Sequence, residues 1–108
     1  MAVSNDFIEY IRDQLREWGL ISVRKMFGGA GLYRDGKMFG LVAEDVVYLK
    51  VDDTNRKKYE AAGSRPLKPF EDHKTVLSFY EVPPEVFESP VELIEWADEA
   101  LAIQKKRK

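Results

Sequence analysis

The chain has 108 residues, a hydrophobic content of 44% and a formal net charge of −2 at pH 7. This length fits one domain, and the hydrophobic content excludes a disordered chain. The lack of cysteine in the sequence excludes disulfides, thiolate metal sites and cysteine nucleophiles, and the small net charge supplies no strong field for nucleic acid.

The first predicted element is an amphipathic helix from Asp6 to Trp18. Its apolar residues recur at the three- and four-residue spacing of one helix face, namely Phe7, Ile8, Ile11, Leu15 and Trp18. Ser4 or Asn5 is placed to cap the first amides, and Gly19 is placed to end the helix. We expect the apolar stripe to pack on a sheet.

Residues 20 to 51 predict a β-meander. Its strands are expected at Leu20 to Phe27, Gly31 to Tyr33, Lys37 to Ala43 and Val46 to Val51. Asp35-Gly36 between apolar runs is a strong hairpin signal, because a type I′ turn requires positive φ at both central residues. A second turn is predicted at Glu44-Asp45.

Both faces of this sheet are predicted to be apolar. Strict alternation in the third strand places Phe39, Leu41 and Ala43 on one face and Met38, Gly40 and Val42 on the other. The second face, which keeps Met38, Val42 and Tyr48, therefore calls for a covering subunit, ligand or other segment of this chain.

The second half of the chain predicts a helix, a loop and a strand. Asp52-Asp53-Thr54 is expected to cap a short helix from Asn55 to Ala62 that ends at Gly63. Residues 64 to 74 contain two prolines and predict an irregular loop. The β-branched and aromatic content of residues 75 to 82 predicts a further strand.

The last helix has a clear start. In Ser89-Pro90-Val91-Glu92 a capping serine, a first-turn proline and a glutamate occupy the positions that helix N-termini favour. The helix is expected to run to about Gln104, after one helical turn at residues 84 to 87. Its buried stripe is predicted to contain Leu93, Ile94, Ala97 and Leu101.

The predicted fold class is α+β. The element order is helix, three or four strands, helix, strand, helix, and no strand-helix-strand unit repeats, so a doubly wound parallel sheet is not expected. We predict a two-layer structure in which a mostly antiparallel sheet, made of the meander and a later strand, carries helices on one face. Residues 1–108 are expected to form a single domain with a short basic tail at 105–108.

The sequence indicates no catalytic, metal-binding or cofactor-binding residues. His73 is the one histidine, no serine lies in a nucleophile elbow, and the glycines match neither a P-loop nor a dinucleotide fingerprint. An enzyme is therefore the least favoured function.

The candidate binding residues are three groups of cations and one glycine pair. They are Arg24 and Lys25 beside Gly28 and Gly29, then Arg56, Lys57 and Lys58, and finally Lys105, Lys106, Arg107 and Lys108. Such groups can bind anions or phosphates. They are more often an exposed strand end before a glycine turn, a solvated helix face, and cations that complement a helix dipole, and these interpretations are favoured.

Six short motifs follow one another from about Phe7 to Leu101. Three lie in the meander: Met26-Phe27-Gly28-Gly29-Ala30-Gly31-Leu32-Tyr33, Asp35-Gly36-Lys37-Met38-Phe39 and Val47-Tyr48-Leu49-Lys50-Val51. Three follow it: Pro69-Phe70, Ser78-Phe79-Tyr80-Glu81-Val82-Pro83 and Leu93-Ile94-Glu95-Trp96-Ala97. In this order and spacing they resemble the N-terminal domain of the TfoX/Sxy family of bacterial competence regulators.

The resemblance implies both an architecture and a type of function. The family's two-layer fold is similar to secretion-chaperone-like folds, which often pair into dimers, so a homodimer is expected. Family members activate competence genes together with the cyclic-AMP receptor protein. Full-length regulators carry a further C-terminal domain, so the resemblance is to a stand-alone N-terminal domain.

The favoured function is a non-catalytic regulatory or interaction domain that acts by protein–protein contact in transcription regulation. Its expected partner, by resemblance, is a transcription regulator or a component of the transcription machinery. The alternative is a weak nucleic-acid-binding domain that uses the cations as a basic patch. No signal peptide and no apolar run of bilayer-spanning length is visible, so we expect a cytoplasmic protein without a membrane partner.

Overall fold

The computed structural model of the chain describes residues 4–26, 29–67 and 78–106. Four helices are present in these ranges, α1 (Asn5–Gln14), α2 (Arg56–Ala61), α3 (Pro84–Phe87) and α4 (Pro90–Lys106). Five strands accompany them, β1 (Ser22–Met26), β2 (Gly29–Arg34), β3 (Lys37–Ala43), β4 (Val46–Lys50) and β5 (Phe79–Glu81). The strands form one antiparallel sheet in the order β1-β2-β3-β4-β5, which confirms the predicted α+β class and element order.

Two tight turns set the register of the sheet. Asp35 and Gly36 have φ values of 54° and 76°, and Glu44 and Asp45 have φ values of 53° and 60°. Positive φ at both central residues is what a type I′ turn requires, so both predicted hairpin turns are confirmed. The backbone N–H of Ser4 donates to the Asp45 carboxylate at 3.2 Å, which holds the start of α1 against the second turn.

The helices bury their apolar residues on one face of the sheet. α1 and α4 contribute most of the helical side of the core, with Ile8, Ile11, Leu15, Leu93, Ala97 and Leu101. In α2, Tyr59 packs edge-on against Trp96 with ring centroids 4.6 Å apart. The predicted helix stripes are therefore confirmed, with Ile94 and Trp96 only half-buried at the border of the core.

Cross-strand pairing identifies the strand residues that face the helices. Leu32 pairs with Gly40, and Gly40 pairs with Leu49. Directly paired residues project to the same face of a sheet, and Leu32 and Leu49 are almost fully buried. Val42, which lies two residues beyond Gly40, is 1% exposed on this same face.

A β-bulge overturns the alternation predicted for β3. The register shifts between Leu32 and Tyr33, so one extra residue of β3 is accommodated at this point. Phe39 is fully buried and its ring lies 5.0 Å from that of Trp18, in the helix-facing core. The prediction that Phe39 shares a face with Leu41 was wrong, and so was the assignment of Val42 to the second face.

α1 ends earlier than predicted, at Gln14 rather than Trp18. The N–H groups of Trp18 and Gly19 both donate to the carbonyl of Leu15, at 2.9 and 3.3 Å, and Gly19 has φ 136°. This turn replaces the last turn of helix and directs the indole of Trp18 toward Phe39. The ending at Gly19 was predicted, but the turn before it was not.

The start of α2 also differs from the prediction. Its N-cap residue is Asn55, and no side chain caps its first amides. Asp52 instead accepts a hydrogen bond from the Thr54 N–H at 2.8 Å, and the Asn55 amide oxygen accepts one from the Asp52 N–H at 2.9 Å. The polar residues therefore stabilise the turn that precedes α2.

Residues 65–67 are not part of an irregular loop. The Leu67 N–H donates to the Phe79 carbonyl at 2.7 Å, and the Glu81 N–H donates to the Arg65 carbonyl at 3.0 Å. These bonds pair the segment with the outer side of β5. Pro66 is tolerated in this edge position because no strand on its far side requires a backbone N–H from it. His73 and the predicted start of the β5 strand lie outside the described residues.

The start of α4 agrees with its sequence signal. The Glu92 N–H donates to the hydroxyl of Ser89 at 3.4 Å, so Ser89 is the capping residue predicted for this helix. The helix continues to Lys106, slightly beyond the predicted end at Gln104.

Gly40→Ala is expected to lower the free energy of unfolding by about 1–3 kcal/mol, because overpacking a filled core forces neighbours to move. A Cβ at this position would lie 2.6 Å from the Tyr48 carbonyl oxygen and 2.9 Å from the Leu49 side chain. Urea denaturation measures the change.

The matched control is Gly36→Ala, where a Cβ meets no atom within 4 Å and only the positive φ opposes the substitution. Its expected cost is about 1 kcal/mol. A Gly40→Ala protein as stable as the wild type would contradict the close packing described for β3 and β4.

Candidate functional site: the open face of the sheet

The sheet surface opposite the helices is here called the open face. Its central row crosses all five strands, because Arg24, Gly31, Leu41, Tyr48 and Glu81 are successive cross-strand partners. The row begins with a cation on β1 and ends with an acid on β5, and its middle is apolar and aromatic. This arrangement is created by the register and is not visible in any one segment of the sequence.

Two shorter rows flank the central row. Tyr33 pairs with Met38 on one side, and Ala43 pairs with Val46 on the other. Six apolar or aromatic side chains of the three rows are half-buried, namely Tyr33, Met38, Leu41, Ala43, Val46 and Tyr48. The centre of the open face is therefore apolar and aromatic, and its charged residues, Arg24, Lys50 and Glu81, lie on β1, β4 and β5.

Cations at two positions of the open face lie over aromatic rings. The Arg24 guanidinium is 5.0 Å from the centroid of the Tyr33 ring. The Lys50 ammonium is 5.2 Å from the ring of its cross-strand partner Phe79, and both residues are only 7% exposed. Each contact fits cation–π stabilisation, which holds the cation on the sheet surface.

The Tyr48 phenol reports the electrostatics of the open face. Burial raises its pKa above the ordinary value, and the charges of Glu81 and Glu44 raise it further. Both effects disfavour the phenolate, because it would be poorly hydrated and would lie near two carboxylates. Tyr48 is therefore a neutral hydrogen-bonding group at neutral pH.

The first predicted pair of cations is divided between the two faces of the sheet. Arg24 pairs with Gly31 on the open face, whereas Lys25 pairs with Ala30 and donates to the Asn5 amide oxygen at 3.3 Å. Their side chains do not converge on one anion. Gly29 begins β2, and Gly28 lies outside the described residues.

The cations of α2 have local partners. Arg56 forms an ion pair with Asp53, and Lys58 forms one with Glu99 at 2.6 Å. Lys58 also lies 4.5 Å from the ring of Trp96. Lys57 is exposed. These contacts explain most of the α2 charge as surface ion pairs.

The basic C-terminal tail is described only at its start. Lys105 pairs with Asp35 at 3.2 Å, which connects the end of α4 to the first hairpin turn. Lys106 is exposed. The pKa of Asp52 is lowered mainly by its hydrogen bond from Thr54, and the charge of Lys106 lowers it further. Arg107 and Lys108 lie outside the described residues.

In residues 4–26, 29–67 and 78–106, no three His, Cys, Asp or Glu side chains gather in a way that could hold a metal ion. Nor does any helix described there combine the length and the apolar character needed to cross a bilayer.

Sequence reasoning found the open face only in part. It identified a second apolar face with Met38 and Tyr48 but missed Leu41, Tyr33 and Glu81. The two hairpin turns contained a signal for Tyr33 and Leu41, since they pair Tyr33 with Met38 and Leu41 with Tyr48. The bulge and the pairing of β5 with β4 could not be read from local sequence.

Comparison with known protein families places most of the chain in one domain family. The family model described as the TfoX N-terminal domain matches residues 13–103. No curated protein matches the chain.

Glu81→Gln is expected to lower the pKa of Tyr48 toward its ordinary value, because it removes the carboxylate that raises this pKa more than Glu44 does, while leaving burial in place. Since the raised pKa makes the folded state hold a proton that the unfolded state loses, stability falls as pH rises through about 10, and the fall should be smaller in the variant. NMR titration of the Tyr48 ring measures the pKa.

Glu85→Gln, an exposed position on α3, is the control and should leave the Tyr48 titration unchanged. An unaltered Tyr48 pKa in Glu81→Gln would show that Glu81 does not face the ring.

Proposed function

The chain belongs to the TfoX N-terminal domain family, and from this membership we propose that it is a non-catalytic regulatory domain that acts by protein–protein contact in transcription regulation. Its partner is a transcription regulator or a component of the transcription machinery, met in the cytoplasm. The contact surface is the open face of the sheet.

The observation that carries the proposal is the composition of the open face. Leu41 and Tyr48 form its centre, and Arg24 and Glu81 stand at the two ends of the same row. Specific protein interfaces have this organisation, with an apolar and aromatic centre depleted of charge and a polar rim. A protein partner that covers the centre would remove the remaining exposed apolar surface from water.

The titratable residues support a non-catalytic role. Shifted pKa values in the described ranges belong to Tyr48, Asp52, Arg56 and Tyr59. Burial raises the pKa of Tyr59, and a hydrogen bond from Thr54 lowers that of Asp52. Each pKa shift has a structural cause. The four residues do not form the paired acid and base that general acid–base catalysis needs.

Nucleic acid is the alternative partner, and the ion pairs weigh against it. Lys58 and Lys105 each have a carboxylate partner, and Arg56 has Asp53. A cation that already has an acidic neighbour releases fewer counterions when it meets a phosphate. A steep loss of binding with salt would nevertheless be the signature of this alternative.

Leu41→Asp is expected to reduce recovery of the protein partner by more than about tenfold, because a carboxylate buried without a partner in an apolar interface opposes binding strongly. The measurement is affinity capture from the native cell extract with the tagged full chain, with and without nuclease. The partner recovered by the wild type should survive nuclease treatment.

Val91→Asp is the matched control, since Val91 is 72% exposed at the start of α4 and lies away from the sheet. Circular dichroism checks that both variants are folded. Undiminished capture by folded Leu41→Asp would exclude the open face as the contact surface. Recovery of nucleic acid that is lost at high salt would favour the alternative.

A further inference from the structure

The outer side of β1, here called the β1 edge, is a border of the sheet. The strand order ends at β1, and no described strand lies beyond it, whereas residues 65–67 cover β5 at the opposite border. We propose that the β1 edge is a second binding surface, which adds an extended, acidic segment of another protein to the sheet as a further strand. This surface is separate from the open face, so the inference does not depend on the function proposed for that face.

The hydrogen bonds between β4 and β5 set the direction of the backbone groups throughout the sheet. In an antiparallel sheet each residue directs its N–H and C=O to one neighbouring strand, and successive residues alternate between the two neighbours. The Val82 N–H donates to the Val47 carbonyl at 2.9 Å, and the Val51 N–H donates to the Ser78 carbonyl at 2.8 Å. The odd-numbered residues of β4 therefore bond to β5, and its even-numbered residues bond to β3.

The same alternation continues from β3 to β1. Leu41 bonds to its even-numbered partner in β4, so Val42 bonds to β2, where its partner is Ala30. The next residue of β2, Gly31, therefore bonds to β1, where its partner is Arg24. Arg24 thus uses its own N–H and C=O within the sheet.

Val23 and Lys25, on either side of Arg24, direct their N–H and C=O groups away from the sheet. Each carries one donor and one acceptor, and no backbone group of the described residues pairs with them there. The Ile21 carbonyl points the same way but accepts a hydrogen bond from the Arg12 guanidinium at 2.9 Å. The unpaired part of the β1 edge therefore begins at Val23.

The unpaired groups of the β1 edge match another extended backbone. The donors and acceptors of an extended strand recur at every second residue, as they do on β1, so an added strand can pair with all of them. The phosphates of a nucleic acid offer acceptors alone and would leave the carbonyls of Val23 and Lys25 without a partner. The edge therefore favours a peptide segment over nucleic acid.

The charges of β1 select an acidic segment. Arg24 and Lys25 are exposed, and in the described part of the chain neither forms an ion pair with a carboxylate. Arg24 lies over the Tyr33 ring and Lys25 donates to the Asn5 amide, so both cations are held near the edge without being neutralised. Carboxylates on an added strand would lie directly opposite them, and cross-strand pairs of opposite charge are favourable.

A second copy of β1 does not fit the same edge. Antiparallel pairing of two β1 strands centred on Arg24 would place Arg24 opposite Arg24, with the Lys25 residues of both copies close by. Like charges directly opposite one another destabilise a sheet. The charge pattern that attracts an acidic segment therefore opposes self-association at this edge.

The two sides of β1 specify a sequence pattern for the added segment. Arg24 lies on the open face, whereas Val23 and Lys25 lie on the helical side, because their partners on β2 are buried there. Antiparallel addition continues the pairing of this sheet. Such a segment would place acids opposite Lys25 and Arg24 and an apolar residue opposite half-buried Val23. From its N-terminus the pattern is therefore acid, acid, apolar.

Amide hydrogen exchange measured by NMR tests the proposal with a synthetic peptide that contains glutamate-glutamate-valine flanked by threonines. In the free chain the Val23 and Lys25 amides should exchange rapidly, and the Arg24 amide between them should be protected by β2. At a peptide concentration about ten times its Kd, exchange of the Val23 and Lys25 amides should slow by about tenfold. A control peptide with lysines in place of the glutamates should not bind.

Two substitutions of Lys25 separate the contribution of its charge from that of its N–H. Lys25→Ala should raise the Kd of the acidic peptide about threefold, and Lys25→Pro, which also removes the outward N–H, should raise it more than about tenfold. Both variants should fold, because this N–H bonds to no strand of the sheet and an edge strand tolerates proline. Lys37→Ala, at an exposed position beside the first hairpin turn, is the control and should leave the Kd unchanged.

Three results would overturn the proposal. They are unchanged Val23 and Lys25 amides at peptide concentrations up to about 1 mM, equal binding of the lysine peptide, and unchanged binding by Lys25→Ala and folded Lys25→Pro. Leu41→Asp distinguishes the two surfaces, because Leu41 lies two strands from β1 and its substitution should leave peptide binding intact. Loss of protein capture in Leu41→Asp without any peptide binding would refute the β1 edge and keep the function proposed for the open face.

Discussion

The register of the antiparallel sheet is the constraint on which the rest of the structure depends. Two turns with positive φ at both central residues fix the ends at which β2 meets β3 and β3 meets β4, and the bulge at Phe39 sets the rest of the β2–β3 pairing. That pairing places Leu32 and Leu49 beneath the helices and Leu41 and Tyr48 on the opposite surface. A slip of one residue would exchange the two surfaces, so the helical layer and the open face are specified together.

Local chemistry was sufficient to predict most of the fold. Asp35-Gly36 and the capping Ser89 contain their structural signal within four residues, and both turned out as predicted. The bulge at Phe39 was missed because no local pattern marks it; the ring of Phe39 packs against that of Trp18, which is distant in the sequence. The pairing of 65–67 with β5 was missed for the same reason, since its hydrogen-bond partners lie on a separate segment.

The candidate site shows a similar division between local and distant causes. Runs of cations are conspicuous in the sequence, but the fold supplies acids to them, as Glu99 does for Lys58 and Asp35 does for Lys105. Adjacent cations in a strand also diverge to opposite faces. Arg24 and Glu81 lie at the two ends of one cross-strand row on the open face, although they are 57 positions apart in the sequence. Membership in the TfoX N-terminal domain family identifies the type of domain that carries this surface but does not identify what binds to it.

The cover of β5 by residues 65–67 has a consequence for aggregation. An uncovered strand offers a row of free amides and carbonyls on which further chains can polymerise. Here one side of the sheet is occupied by Pro66, which donates no backbone hydrogen bond, and the other side carries the charged side chains of Arg24 and Lys25. Both borders resist growth into fibrils, so an apolar surface can be kept for recognition without making the chain prone to open-ended assembly.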